Sequence, residues 1–215
     1  MRRVLVDPES VARALAEEVS AAIVGGLRTL VLAGGSTPMR AYRLLREETL
    51  PWGRVTVLFG DERCVPADDP DSNFRMARQE LLDRVAPASV HRIAGELGAE
   101  VAAAAYDSVV ESIPTLDLVL LGIGPDGHTA SLFPNHVALA AGGWAVAVHG
   151  APKPPPDRVS LTLATLRSAR RVLIAATGPD KAAAVAMAER GEVPAGMIPG
   201  AEWLLDQAAA GGSGR

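Results

Sequence analysis

The chain has 215 residues, of which 48% are hydrophobic and 21% charged, and its formal net charge is −4. This composition excludes a disordered chain and fits one folded domain over residues 1–215, with a frayed Gly/Ser-rich tail at 211–215. The absence of a long basic run argues against a nucleic-acid partner. Cys64 is the only cysteine and excludes an intrachain disulfide, so we expect a reducing, cytoplasmic setting.

No membrane segment or signal peptide is expected. The longest uncharged apolar stretch, 137–148, is shorter than the roughly 20 residues that span a bilayer. The first eight residues reach Asp7 and Pro8 before an apolar region develops, which does not fit a secretory or twin-arginine signal.

Apolar runs of strand length alternate along the chain with segments of helical period. The first helix is predicted to start after Asp7 as N-cap, with Pro8 in its first position, and to end at Gly25–Gly26. Strands follow at 29–33, 55–59, 116–121, 146–148 and 172–176, an extended or mixed stretch at 159–163, and helices from about 36, at 73–84, 99–112, 180–190 and 203–209. This order predicts a doubly wound α/β fold, with a mostly parallel sheet and helices on both faces.

The first loop after a predicted strand is Gly34-Gly35-Ser36-Thr37-Pro38. Ser36 or Thr37 is predicted to cap the next helix, with Pro38 in its first position. Gly35 and the two hydroxyl residues could cradle a phosphate at the positive end of that helix. A structural turn with an N-cap explains the same residues equally well.

The second loop, 60–66, contains Asp61, Glu62 and Arg63 directly after an apolar strand. Such charges are expected to meet a ligand or each other. Further along, Asp71, Ser72 or Asn73 is predicted to be the N-cap of the next helix rather than a ligand-binding residue.

The third loop, 122–134, matches the pattern G-x-G-x-x-G, but a dinucleotide site is not supported. No acidic residue occurs between Asp126 and Asp157, whereas ribose recognition needs one about 20 residues after the glycines. The glycines are instead expected to turn the chain so that Asp126 and His128 face a ligand, with His128 as a general base. The spacing of the histidines predicts no metal site.

Two further features bear on a ligand. Arg63, Arg158 and Lys181 are scattered cations that suit a small anion as well as an ordinary solvated surface. The segment 152–156 holds four prolines and must be an extended loop, which could be a lid or a rigid connector.

Taken together, these loops resemble the 6-phosphogluconolactonase family, within the wider group that contains the glucosamine-6-phosphate isomerases. The matching segments are LAGGSTP, FGDERCVPADDPDSNF, LLGIGPDGHTASLFP, RVSLTL and TGPDKAAAV, and they extend over essentially the whole chain. In the isomerases a glutamate precedes the proline of the third loop, whereas this chain has Phe133. Aldose–ketose chemistry uses such a carboxylate and ester hydrolysis does not require it, so the lactonases are favoured.

The resemblance implies hydrolysis of 6-phospho-D-glucono-1,5-lactone to 6-phospho-D-gluconate in the oxidative pentose phosphate pathway, without a cofactor. It implies His128 as the base, with Asp126 orienting it and loop N–H groups stabilising the oxyanion. It places Asp61 against the sugar. The residues expected to bind phosphate and hydroxyl groups are Gly35, Ser36, Thr37, Arg63, Gly127, Arg158 and Lys181. A monomer or small homo-oligomer is expected; the alternatives are a sugar-phosphate isomerase or deaminase and a non-enzymatic sugar-phosphate sensor.

Overall fold

The computed structural model describes residues 1–212, which form ten strands in two sheets and six α-helices. The strands are β1 Arg2–Leu5, β2 Thr29–Leu32, β3 Thr56–Phe59, β4 Asp61–Arg63, β5 Ser89–Val90, β6 Leu118–Gly122, β7 Ala145–Val148, β8 Arg158–Leu161, β9 Val172–Ala176 and β10 Glu202–Asp206. The helices are α1 Pro8–Val24, α2 Ser36–Leu45, α3 Asn73–Ala77, α4 Ala99–Glu111, α5 Leu163–Ser168 and α6 Ala182–Glu189.

The larger sheet is parallel and has the strand order β5-β3-β2-β6-β9-β10-β1. Every residue of its central strands β2 and β9 is buried, so both faces of the sheet are covered at the centre. The predicted doubly wound α/β class is therefore confirmed. Because the connections run outward in opposite directions from β2 and β6, a crevice opens beyond the carboxyl ends of these strands.

The first helix is built as its sequence predicts. Asp7 is the N-cap, and its carboxylate accepts a hydrogen bond from the Ser10 N–H at 2.7 Å. Val11, Leu15, Val19 and Ile23 recur at a spacing of four residues and are buried, so one face of α1 packs into the core. This face contributes to the contacts of α1 with α2 and β10.

Two buried tyrosines fix the strand ends from which site loops start. The Tyr42 hydroxyl, on α2, accepts from the Ala33 N–H at 3.0 Å and donates to the Ala33 carbonyl at 2.9 Å. The Tyr106 hydroxyl, on α4, does the same at Phe59, at 2.8 and 2.9 Å. Burial raises the pKa of both hydroxyls, so both stay protonated and able to donate.

The smaller sheet is antiparallel, with the order β4-β8-β7. It was not predicted as a sheet, although a strand was expected at 146–148 and an extended or mixed stretch at 159–163. Its edge strand β4 is the segment 61–63, which was expected to be a loop. This sheet brings the residues around Asp61 against β8, the strand that begins at Arg158.

Several other sequence predictions need correction. The predicted helix at 203–209 is wrong, since Glu202–Asp206 is a strand that pairs with both β9 and β1. The predicted helix at 73–84 is two shorter pieces, because α3 passes after Ala77 into a π-helical turn at Arg78–Leu82. β1, β5 and α5 were not predicted.

The remaining segments agree with expectation or lie outside the description. The segment 152–156 contains no helix or strand. Of the tail predicted at 211–215, residues 213–215 lie outside the described chain. Within the described residues, no helix combines the length and the apolar character needed to cross a bilayer.

Candidate active site

A cavity of about 340 Å³ opens where β2, β6 and β9 end. Its walls come from the three loops singled out in the sequence, from the segment after β9 and from the proline-rich loop. Among the lining residues are Gly34, Gly35, Ser36, Thr37, Asp61, Arg63, Asn73, Gly124, His128, Lys153, Arg158, Thr177 and Lys181. Eight of the ten residues proposed from the sequence therefore meet around one space.

One wall of the cavity is the start of α2. The N-cap is Gly35, with a φ of 107°, and no side chain caps the helix, so the predicted cap by Ser36 or Thr37 is wrong. The Thr37 hydroxyl pairs instead with the Thr177 hydroxyl at 2.9 Å. The first N–H groups of a helix have no partner within it, and here no side chain supplies one. This wall therefore suits an anion such as phosphate.

A second part of the cavity lining is His128, which pairs with Asp126 just outside the lining. His128 Nδ1 lies 2.5 Å from Asp126 Oδ1 within the turn that follows β6. A Cβ on Gly124 would lie 2.0 Å from His128 Nδ1, so only glycine at that position lets the ring sit there. Because a carboxylate only accepts hydrogen bonds, the proton of a neutral His128 is on Nδ1 and Nε2 is left as a base.

Burial controls the charge of His128. It lowers the pKa of His128 below the ordinary value near 6.5, although Asp126 acts in the opposite direction. For Asp126, burial favours the neutral acid, but the hydrogen bond with His128 and nearby positive charge, including that of Lys153, outweigh it and leave the Asp126 pKa lowered. At neutral pH the pair is therefore a carboxylate beside an uncharged imidazole.

Phe133 packs against the ring of His128, and Arg158 packs against Phe133. The rings of His128 and Phe133 have centroids 4.6 Å apart, and the Arg158 guanidinium lies 5.5 Å from the centroid of Phe133. Arg158 is only 4% exposed and donates to the carbonyls of Pro155 at 3.0 Å and Lys153 at 3.1 Å. Arg158 thus lines the cavity, but much of its hydrogen-bonding capacity holds the proline-rich loop.

That loop contributes a cation that the sequence analysis did not identify. Lys153 lines the cavity, and its Nζ lies 4.0 Å from Asp126 Oδ1. With Arg63, Arg158 and Lys181 it makes four cationic side chains around the space. Such a surplus of positive charge fits a substrate that carries a phosphate dianion. The one signal in the sequence was a lysine set among prolines.

The adjacent acids Asp61 and Glu62 point to opposite sides of β4. Asp61 lines the cavity, and its carboxylate accepts from the Ser131 hydroxyl at 2.6 Å and from Asn73 Nδ2 at 3.1 Å. Glu62 accepts from the backbone N–H groups of Asn73 and Phe74, both at 2.7 Å. Burial raises the pKa of Glu62. Glu62 therefore supports the start of α3, while Asp61 is available to a ligand.

Gly127 departs from expectation in this region, whereas Ser72 agrees with it. Gly127 does not line the cavity but packs against Val193, and its φ of 86° explains why glycine is needed there. Ser72, one of the three candidates, is the N-cap of α3 and accepts from the Arg75 N–H. In the described part of the chain, no group of three or more His, Cys, Asp or Glu side chains is placed to hold a metal ion.

Comparison with known proteins places this geometry in a family. Residues 7–205 match the family model described as glucosamine-6-phosphate isomerases/6-phosphogluconolactonase. The chain belongs to this family. The match extends from the N-cap of α1 into β10, so it includes every loop of the cavity.

Individual members of the family are similar over nearly the whole chain. The 6-phosphogluconolactonase of Streptomyces coelicolor is 40% identical, covering 96% of this chain and 90% of its own. The human 6-phosphogluconolactonase is also 40% identical, covering 84% and 79%. The solved 6-phosphogluconolactonase of Trypanosoma brucei superposes with a TM-score of 0.90 at 29% identity, covering 98% of this chain and 97% of that one.

Proposed function

We propose that this protein hydrolyses 6-phospho-D-glucono-1,5-lactone to 6-phospho-D-gluconate, the lactone-opening step of the oxidative pentose phosphate pathway, with His128 as general base. The observation that carries the proposal is the His128–Asp126 pair in a cavity with four cationic side chains. The similarity to several 6-phosphogluconolactonases supports the same reaction.

The proposed reaction begins with Nε2 of His128 taking a proton from a water molecule as that water attacks C1 of the lactone. Asp126 holds the other ring nitrogen in its protonated form and stabilises the imidazolium as it forms. Collapse of the tetrahedral intermediate breaks the bond between C1 and the ring oxygen. The imidazolium then returns the proton to that oxygen, and the product is the open-chain hydroxy acid.

The negative charge on the tetrahedral intermediate needs a partner close to His128. The N–H groups of Gly124, Gly127 and Thr129 already donate to carbonyls within the same loop, which leaves them unavailable as oxyanion donors. Lys153 is the cation placed beside Asp126, and we assign the stabilisation of the oxyanion to it.

The other end of the cavity is proposed to bind the phosphate. The uncapped start of α2 supplies N–H groups, Ser36 supplies a hydroxyl, and Arg63 and Lys181 supply charge. Because the start of α2 and His128 line the same cavity, a phosphate held at α2 would keep the lactone within the space that His128 faces. We therefore expect a phosphorylated lactone to be turned over more efficiently than the unphosphorylated one.

A sugar-phosphate isomerase is the alternative within the family. Phe133 stands where the isomerases have a glutamate and packs against His128, so this position supplies no carboxylate for proton transfer. A non-enzymatic sugar-phosphate sensor is the other alternative. Binding alone does not require a neutral histidine that can act as a base in the cavity, so His128 favours an enzyme. A cytoplasmic location stays a prediction from the sequence. A monomeric or small homo-oligomeric state also stays a prediction.

The test is the rate of acid release from freshly made lactone, corrected for spontaneous hydrolysis, beside an assay with glucosamine 6-phosphate. We expect acceleration with the lactone alone. His128→Ala should lower kcat by at least about 10²-fold while the circular dichroism spectrum is unchanged. A folded His128→Ala protein with wild-type activity would remove His128 from the role of base.

A further inference from the structure

Asn73 lies between the start of α2 and Asp61, and neither the sequence patterns nor the family comparison assigns it a role in binding. It is 3% exposed and lines the cavity. A Cβ on Gly34 would lie 2.0 Å from Asn73 Oδ1, so the amide packs directly on the backbone of the first loop. Its backbone N–H is already used by Glu62.

The orientation of the Asn73 amide is fixed by its neighbours. Nδ2 donates to the Asp61 carbonyl at 3.0 Å and to Asp61 Oδ1 at 3.1 Å. Both partners only accept hydrogen bonds, so rotating the amide by 180° would place its oxygen against two oxygens. The amide nitrogen therefore faces Asp61, and Oδ1 is turned away from it.

Asn73 Oδ1 is an unused acceptor on a residue that lines the cavity. No described residue donates a hydrogen bond to it, since the recorded hydrogen bonds of Asn73 use its two nitrogens. In the described chain, the fully buried side-chain polar atoms that lack a partner are Trp52 Nε1, Arg63 Nε and Arg78 Nε. Asn73 Oδ1 also lacks a partner but is not fully buried, so solvent or a ligand can reach it. A ligand that displaces water from this acceptor has to supply a donor in its place.

We propose that Asn73 is a specificity-determining residue whose Oδ1 accepts a hydrogen bond from one ring hydroxyl of the sugar lactone. This inference rests on the proposed function. In a phosphorylated aldonolactone the phosphate, the carbonyl oxygen and the ring oxygen only accept, so the hydroxyls are the donors that can satisfy Oδ1. By fixing Asp61 through Nδ2, the same amide also places the Asp61 carboxylate against the sugar.

The test combines Asn73→Ala with substrates that each lack one hydroxyl. The substrates are 6-phosphogluconolactone and its 2-, 3- and 4-deoxy analogues. A neutral hydrogen bond contributes about 0.5–1.5 kcal/mol, so Asn73→Ala should lower kcat/KM for the parent lactone by roughly 2- to 13-fold. For one deoxy analogue the penalty should be smaller than for the parent lactone by that factor, because the hydroxyl that Oδ1 serves is already gone and only the loss of support for Asp61 remains.

Ser131→Ala is the matched control. It removes the other side-chain hydrogen bond to the Asp61 carboxylate and leaves Asn73 in place, so its effect should be the same for all four lactones. Asn73→Ser, whose side chain is too short to present an acceptor at the same point, replaces Asn73→Ala if that variant does not fold. The same pattern is expected of it.

Equal penalties for all four lactones with a folded Asn73 variant would overturn the inference, since Asn73 would then act only by supporting Asp61. Failure of the wild-type protein to accelerate hydrolysis of the parent lactone is a different result. It would refute the proposed lactonase activity itself.

Discussion

Asp126→Asn tests the His128–Asp126 pair more sharply than removal of the histidine. The substitution keeps the size of the side chain but replaces an acceptor-only group with an amide that can also donate. The amide carries no charge, so the 2.5 Å contact to Nδ1 loses its ionic character. An amide that donates to Nδ1 would leave the proton of a neutral His128 on Nε2, where the base is needed.

The magnitude follows from the type of contact that is lost. A hydrogen bond to a charged group contributes about 1.5–3 kcal/mol, and losing it in the transition state lowers the rate by roughly 10- to 150-fold. The direction of the pH effect follows from the groups that change the pKa of His128. Asp126 acts to raise the pKa of His128 against burial, so its neutralisation should move the acid limb of the rate profile to lower pH.

The assay is kcat/KM for freshly made lactone between pH 5 and 8, corrected for spontaneous hydrolysis. In the wild-type protein the acid limb should fall below the ordinary histidine value near 6.5. Asp157→Asn is the control, because it alters a second carboxylate–histidine contact, the 2.9 Å pair with His149, whose residues do not line the cavity. Wild-type activity and an unmoved limb in Asp126→Asn would refute the reasoning.

Three further predictions concern other parts of the molecule. Gly124→Ala places a Cβ 2.0 Å from Nδ1 of His128, so activity measured by acid release should fall about 10²-fold at unchanged helix content. Lys181→Ala should raise KM for the phosphorylated lactone about 10-fold and leave gluconolactone turnover unchanged; equal effects on both would contradict phosphate binding there. His149→Asn should lower Tm at pH 5.5 and not at pH 9. Contacts with two carboxylates raise the pKa of His149, so the stabilisation is complete below about 6.5 and is lost as pH rises through the folded-state pKa.

The location of the site could be predicted because it depends on topology rather than on detail. Loops that follow parallel strands share one edge of a sheet, so the segments containing Ser36 and His128 had to meet once the α/β class was recognised. The role of Asp7 as N-cap could also be predicted, because an N-cap side chain bonds a backbone N–H only three residues away.

The errors have a common physical origin in contacts that the local sequence pattern does not show. The run 203–209 is compatible with a helix by itself, but pairing with β9 and β1 on its two sides makes Glu202–Asp206 a strand. Lys153 lines the cavity from a loop whose carbonyls accept hydrogen bonds from the buried Arg158 side chain, a contact that no local pattern indicates. The sequence shows Asn73 at a helix start and gives no sign that its amide is turned toward Asp61.

The alternation of Asp61 and Glu62 along β4 makes the site sensitive to chain length. A strand sends successive side chains to opposite faces, so deleting or inserting one residue between β3 and β4 would exchange the two carboxylates. The acid at the cavity would then lie under α3, and the acid that supports α3 would face the substrate. The spacer here is the single residue Gly60, so viable length variants should arise in the loop from Cys64 to Asp71 rather than before it.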